Sequence, residues 1–142
     1  MNRDICIVGD HVRRSAWMQS LVYWGPVVGY AGLIFYLSAQ SQPDEDLSSL
    51  LHFLDFFDDK VLHAVEYAGL GGLCYRAFRW AAGPAIARQA VVLAIVTASV
   101  YGLTDEVHQA FVPLRETSWQ DWLADTIGAA IGALSWRSIR SE

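Results

Sequence analysis

Ten polar side chains carry the chemistry that this sequence can offer, and they fall into three short stretches. The first, "DKVLHAVEYAGLGGL", holds Lys60, His63, Glu66 and Tyr67. The second, "TDEVHQAFVPLRETSW", holds Asp105, Glu106, Gln109 and Arg115, and the third, "QDWLADTIGAAIG", holds Asp121 and Asp125. An acid/base pair drawn from His63, Glu66, Asp105 and Glu106 can move protons on an amphipathic substrate. Lys60 or Arg115 can hold a phosphate or carboxylate, and Tyr67, Gln109, Asp121 and Asp125 complete a set of substrate-binding groups. The same residues also suit ligand binding or proton carriage without covalent chemistry. No resident cofactor is expected, although His63-x-x-Glu66 with Asp105-x-x-His108 would offer nitrogen and oxygen donors to a divalent metal. The plainest alternative is a polar clamp that joins helices. No nucleophile elbow, Walker loop or dinucleotide-binding glycine pattern is present.

These residues need helices to bring them together. At about 100° per residue, His63, Glu66 and Tyr67 share roughly a third of a helix circumference. Beside them, Ala64, Ala68 and Gly72 form a row of small residues that lets another helix approach. Asp121, Asp125, Gly128 and Gly132 follow the spacing i, i+4, i+7, i+11, so two carboxylates run into a glycine packing stripe. Asp105, Glu106 and Gln109 fit one side of a helix that Pro113 must end. Lys60, His63 and Arg115 can neutralise only some of Glu66, Asp105, Glu106, Asp121 and Asp125. A charge at a bilayer centre costs about 2.5–3.5 kcal/mol on insertion scales, so an unbalanced set argues for a pocket in use.

The chain that must supply those helices has 142 residues, 54% of them hydrophobic, with a mean hydropathy of +0.25 and a net charge of −5. Length suggests one domain, and the hydropathy favours a membrane protein over a soluble one. Nucleic acid is not an expected partner. Leu21 to Ala39 is the clearest span, nineteen residues without a charge. Val61 to Trp80, Ala87 to Asp105 and Trp119 to Trp136 read as three weaker ones. A signal peptide is the rival for the first segment, which is longer than an ordinary signal core of roughly 7–15 residues. A soluble helical bundle is the rival for the rest.

Charge sorting decides in favour of four spans. Arg3, Arg13, Arg14, Arg76, Arg79, Arg88, Arg137 and Arg140 then share one side, eight of the ten basic residues. Twelve of the fifteen acidic residues lie at or beside the other face. The positive-inside rule explains that segregation and makes both termini cytoplasmic. The expected architecture is all-α: a multi-pass membrane bundle of four transmembrane helices, with a tail at 1–19, a four-helix domain at 20–137 and a second tail at 138–142. A short interfacial helix near Leu47–Phe57 is expected on the outer side, against membrane lipid. Gly25-Pro26, Gly29 and Gly32 suggest that the first span is closely packed and kinked. Cys6 and Cys74 suggest neither a disulfide nor a metal knuckle.

From Lys60 to Gly132 the motifs resemble those of the VanZ-like membrane proteins. The family pattern is K-x-x-H-x-x-E-[YF], then D-E-x-x-Q-x-F-x-P-x-R, then D-x-x-x-N-x-x-G-x-x-x-G. Lys60, His63, Glu66, Tyr67, Asp105, Glu106, Gln109, Phe111, Pro113, Arg115, Asp121, Gly128 and Gly132 occupy its positions. Asp125 stands where the pattern has asparagine. The resemblance implies a small multispanning envelope protein whose namesake is associated with reduced susceptibility to teicoplanin, a lipidated glycopeptide. Expected partners are therefore a lipid-linked envelope precursor or a lipophilic glycopeptide. The resemblance supplies no reaction.

Overall fold

The computed structural model describes residues 3–40, 59–113 and 117–139, with side chains in the first helix from residue 17 onward. Among these residues five helices follow one another: α1 (Arg3–Ser38), α2 (Asp59–Ala81), α3 (Pro84–Ala87), α4 (Ala90–Gln109) and α5 (Trp119–Ile139). The protein is all-α, with no strand among the described residues. The expected interfacial helix at Leu47–Phe57 and the candidate ligand Arg115 lie outside those residues.

Local chemistry sets the boundaries. Gly83 adopts φ +83°, a conformation that only glycine takes without strain, and Pro84 then opens the single-turn α3. This corner reverses the chain between α2 and α4. At the far end of α4, the amides of Ala110, Phe111 and Val112 still bond to the carbonyls of Glu106, His108 and Gln109. Pro113 has no amide to continue the ladder. Ser118 caps α5, its hydroxyl accepting from the Gln120 amide at 3.2 Å.

Helix α2 is the axis of the bundle, packing against α1, α3, α4 and α5. Its closest partner is α5. A Cβ placed on Gly128 would lie 2.7 Å from the Ala64 carbonyl carbon, and one on Gly132 would lie 2.7 Å from that of Ala68. The two small-residue rows therefore meet, backbone against backbone. On the other flank, α1 rests on α2 through Val27, Ile34 and Tyr30, whose hydroxyl lies over Gly69. Gly25, Gly29 and Gly32 do not take part. They lie on the opposite face of α1, with no atom of the described residues within 4 Å of an added Cβ, so the bulky side chains, not the glycines, form the interface with α2.

The bundle buries what is small or polar and exposes what is large and apolar. In α4 the buried residues are Ala90, Ala94, Ala98, Gly102, Asp105, Glu106 and Gln109, while Val92, Val96, Val100, Leu103 and Val107 form an exposed stripe. In α5, Leu123, Ile127, Ile131 and Leu134 are exposed over buried Asp121, Asp125, Gly128, Ala129 and Ala133. Water would penalise such an arrangement, whereas lipid does not.

Among the described residues, two stretches are long and apolar enough to cross a membrane, Trp17–Ser38 and Ala90–Gln109, and only 11% of the first is buried. Four such segments were expected. Helices α2 and α5 have the length, 23 and 21 residues, but not the hydropathy. Lys60, Glu66, Arg76 and Arg79 in α2, and Asp121 and Asp125 in α5, displace apolar side chains there.

The α2–α5 contact generates a test. Replacing Gly128 by Val forces a branched side chain into backbone and should cost about 1–3 kcal/mol or more. Gly29→Ala, on the open face of α1, should leave stability unchanged or raise it by up to about 1 kcal/mol. Thermal unfolding of the detergent-solubilised proteins, followed by size-exclusion chromatography, checks the contrast.

Candidate functional site

Helices α1 and α4 end where α2 and α5 begin, so four helix termini gather at one end of the bundle. Close packing of α2 on α5 puts their polar turns in register. Lys60 Nζ lies 3.3 Å from Asp121 Oδ1, and one turn deeper His63 Nδ1 donates to Asp125 Oδ1 at 3.0 Å. His63 and Asp125 are 8% and 0% exposed. Asp125 also needs the glycine across from it, because a Cβ on Gly102 of α4 would fall 2.8 Å from Oδ2. Tyr67 closes the inner side of this space, fully buried with its ring 6.4 Å from that of Tyr101.

Helix α4 contributes in two directions. Asp105 Oδ2 accepts from Ser38 Oγ at 2.7 Å and from Gln109 Nε2 at 3.0 Å, tying the end of α1 to α4. Tyr101 strengthens that tie by donating to the Ala31 carbonyl. Glu106 turns the other way, its Oε2 accepting the Ser118 amide at 3.0 Å and so fastening α4 to the start of α5. Along the same seam, Ser99 and Thr126 share a hydroxyl hydrogen bond of 2.7 Å, and Trp122 Nε1 donates to the Ser99 carbonyl at 3.0 Å.

Donor atoms of His63, Glu106 and Asp125 all lie within 4.8 Å of one another. Tyr67 Oη, Asp105 Oδ1, Glu106 Oε1 and Asp125 Oδ2 are buried and have no hydrogen-bond partner among the described residues. Beside them runs a mainly apolar groove of about 300 Å³ between α4 and α5, lined by Leu103, Val107, Trp119 and Trp122, with Glu106 at its polar edge.

Nine of the ten residues singled out in the sequence thus fall among the described helices, and most meet. Lys60, His63, Tyr67, Glu106, Asp121 and Asp125 form one polar cluster; Asp105 and Gln109 adjoin it on the α1 side. Glu66 is half-buried and stands outside the three-residue donor group. His63-x-x-Glu66 and Asp105-x-x-His108, whose spacing permits metal donors, do not converge as one set among the described residues. His108 instead stacks on Phe35 of α1, with ring centroids 4.3 Å apart. Ser38, Gly102 and Ser118 were not singled out. Ser118 was legible, since Ser-x-x-Asp before an apolar run is a capping-box pattern. Ser38 and Gly102 owe their roles to packing between helices distant in sequence.

A family model described as VanZ/LLP1 matches residues 27–140. The chain belongs to the VanZ/LLP1 family. Every residue of the polar cluster lies within the matched stretch. Membership in this family, together with the two apolar helices, marks a membrane protein. No curated protein and no solved structure matches the chain.

The tie between α1 and α4 makes a second test. Ser38→Ala leaves Asp105 short of a donor in a buried place and should cost about 1.5–3 kcal/mol, the range for hydrogen bonds to charged groups. Gln40→Ala, beyond the helix end, should cost less than about 0.5 kcal/mol. Thermal melts of both variants in the same detergent check the difference.

Proposed function

We propose that this protein crosses the bacterial cytoplasmic membrane four times and binds the headgroup of an amphipathic envelope molecule at its outer face. The observation that carries the reading is the double placement of Glu106. This carboxylate belongs to the buried polar cluster with His63 and Asp125, and it also lines the apolar groove between α4 and α5. A polar headgroup and an acyl chain need that adjacency. The groove opens beside Leu103, Val107 and Trp119, all more than half exposed, so an acyl chain can enter sideways from lipid.

The opposite end of the bundle supports the orientation. Arg79, Arg88 and Arg137 share one hollow there, and Arg76 lies 4.7 Å from the Tyr23 ring centroid in a layer with Trp80 and Trp136. Arginines with tyrosine and tryptophan are the usual dressing of a cytoplasmic interface. Exposed apolar stripes on α4 and α5 favour lipid on both, so the charged residues of α5 count as lining rather than as a bar to spanning. Lys60 and Arg115 are assigned to anion binding, and His63, Glu66, Asp105 and Glu106 to proton transfer or headgroup contact. The family association makes a lipid-linked precursor or a teicoplanin-like glycopeptide the favoured occupant.

One observation favours a second reading. Asp105 spends one oxygen on Ser38 and Gln109, and Asp121 pairs with Lys60, which is what a helix-joining clamp requires.

Two measurements separate these readings. Reporter fusions after Pro43 and Arg115 should read extracytoplasmic, and those after Gly83 and Glu142 cytoplasmic; a cytoplasmic signal after Arg115 removes the topology. Glu66→Gln and Glu106→Gln keep shape while removing charge. Both should insert and melt as the wild type does, yet lose most co-purifying lipid and any glycopeptide phenotype of cells that overproduce the protein. Unchanged lipid content and phenotype in both variants would leave only the clamp.

A further inference from the structure

The polar cluster contains a donor set with acceptor atoms that the helix-joining bonds leave over. His63, Glu106 and Asp125 come from three different helices, are all buried, and direct one nitrogen and two carboxylate oxygens to a space in which every pair lies within 4.8 Å. Bonds of about 2.0–2.2 Å to a divalent metal place neighbouring donors about 3.0–3.5 Å apart. The His63 Nδ1–Asp125 Oδ1 separation, 3.0 Å, already has that value, and a metal there would displace the Nδ1 proton that now joins the two, releasing it to solvent. Glu106 needs a side-chain shift of at most about 2 Å to join them.

Independent of that spacing, the orphaned oxygens point to a ligand. Glu106 gives Oε2 to the Ser118 amide and keeps Oε1 without a partner among the described residues, although the residue is only 7% exposed. Asp125 is fully buried and likewise keeps Oδ2. Leaving a buried carboxylate oxygen unsatisfied is costly, and a cation is the occupant that satisfies carboxylates and a neutral imidazole at once. Tyr67 Oη in the same cluster is also buried and without a partner among the described residues.

We propose that His63, Glu106 and Asp125 bind one divalent first-row metal ion, zinc or manganese. Imidazole with two carboxylates suits these ions better than magnesium or calcium, which take oxygen alone. Three protein ligands leave at least one coordination position open toward the groove edge that Glu106 lines. The site stands whether or not the groove holds a lipid.

The test uses the full chain, without an affinity tag, in detergent. After stripping with EDTA, the protein is dialysed against zinc or manganese, and bound metal is counted by mass spectrometry. The wild type should retain about one ion per chain, and the metal should raise its melting temperature. In the cobalt-substituted protein, visible absorption bands should report a nitrogen–oxygen ligand field. Asp125→Asn places the residue of the family pattern at this position, so it should fold; it and Glu106→Gln should weaken binding about tenfold or more, since even residues behind a ligand cost 10–100-fold. Less than a tenth of an ion per wild-type chain, or binding equal in wild type and both variants, overturns the proposal, because the metal would then be absent or seated elsewhere.

Discussion

The distance between the backbones of α2 and α5 governs the rest of the molecule. Where Gly128 faces Ala64 and Gly132 faces Ala68, no side chain separates the two helices, and the register is fixed by the glycines themselves. One turn toward the site, the same register sets His63 opposite Asp125; one turn further, it sets Lys60 opposite Asp121. The polar contacts are thus extensions of an apolar seam. Hydrogen bonds of this geometry are short-ranged, so a helix pair held even one methyl group further apart would forfeit both.

A seam made of glycine and alanine buries little apolar area, and burial alone would hold such a bundle weakly in water. Lipid changes the balance, because exposed valine and leucine then cost nothing and close backbone packing with interhelical hydrogen bonds becomes the main source of cohesion. The polar ties divide that work between helix pairs. Ser38 and Asp105 join α1 to α4; Glu106 and the Ser118 amide, with Ser99, Thr126 and Trp122, join α4 to α5. Asp105 and Glu106 each commit one oxygen to these ties, which is why the cluster retains carboxylate oxygens without a partner among the described residues.

Much of this was legible from spacing. The Asp121–Asp125–Gly128–Gly132 series reads directly as a face, since every member lies three or four residues from the next, and the facing Ala64–Ala68–Gly72 row follows the same rule. Helix termini at Pro113, Ser118 and Gly83-Pro84 carry their own local chemistry. Two readings failed for one reason. The glycines of α1 suggested a packing face, and His63-x-x-Glu66 with Asp105-x-x-His108 suggested a metal pair, yet spacing within a helix says which residues share a face and not which face meets a neighbour. Tyr30 over Gly69 and Phe35 over His108 settled those faces in favour of bulk. Hydropathy scores α5 by its aspartates, which are buried, while the stripe of Leu123, Ile127 and Ile131 on the opposite side is exposed.

Asp125 concentrates the chemical distinctiveness of this chain. An asparagine at the same place could accept from His63 through its carbonyl and would present an amide donor to the space that Asp125 Oδ2 now faces. The carboxylate instead presents acceptors only, and it does so fully buried, with Gly102 leaving just enough room for it. Substituting an acceptor for a donor reverses what the centre of the cluster attracts: cations and hydrogen-bond donors in place of carbonyl and phosphate oxygens. An anionic headgroup would then meet Lys60 at the rim before it met this carboxylate, so the rim and the interior of the cluster select for opposite charge. That ordering follows from side-chain depth alone, since Lys60 is half exposed and Asp125 is not exposed at all.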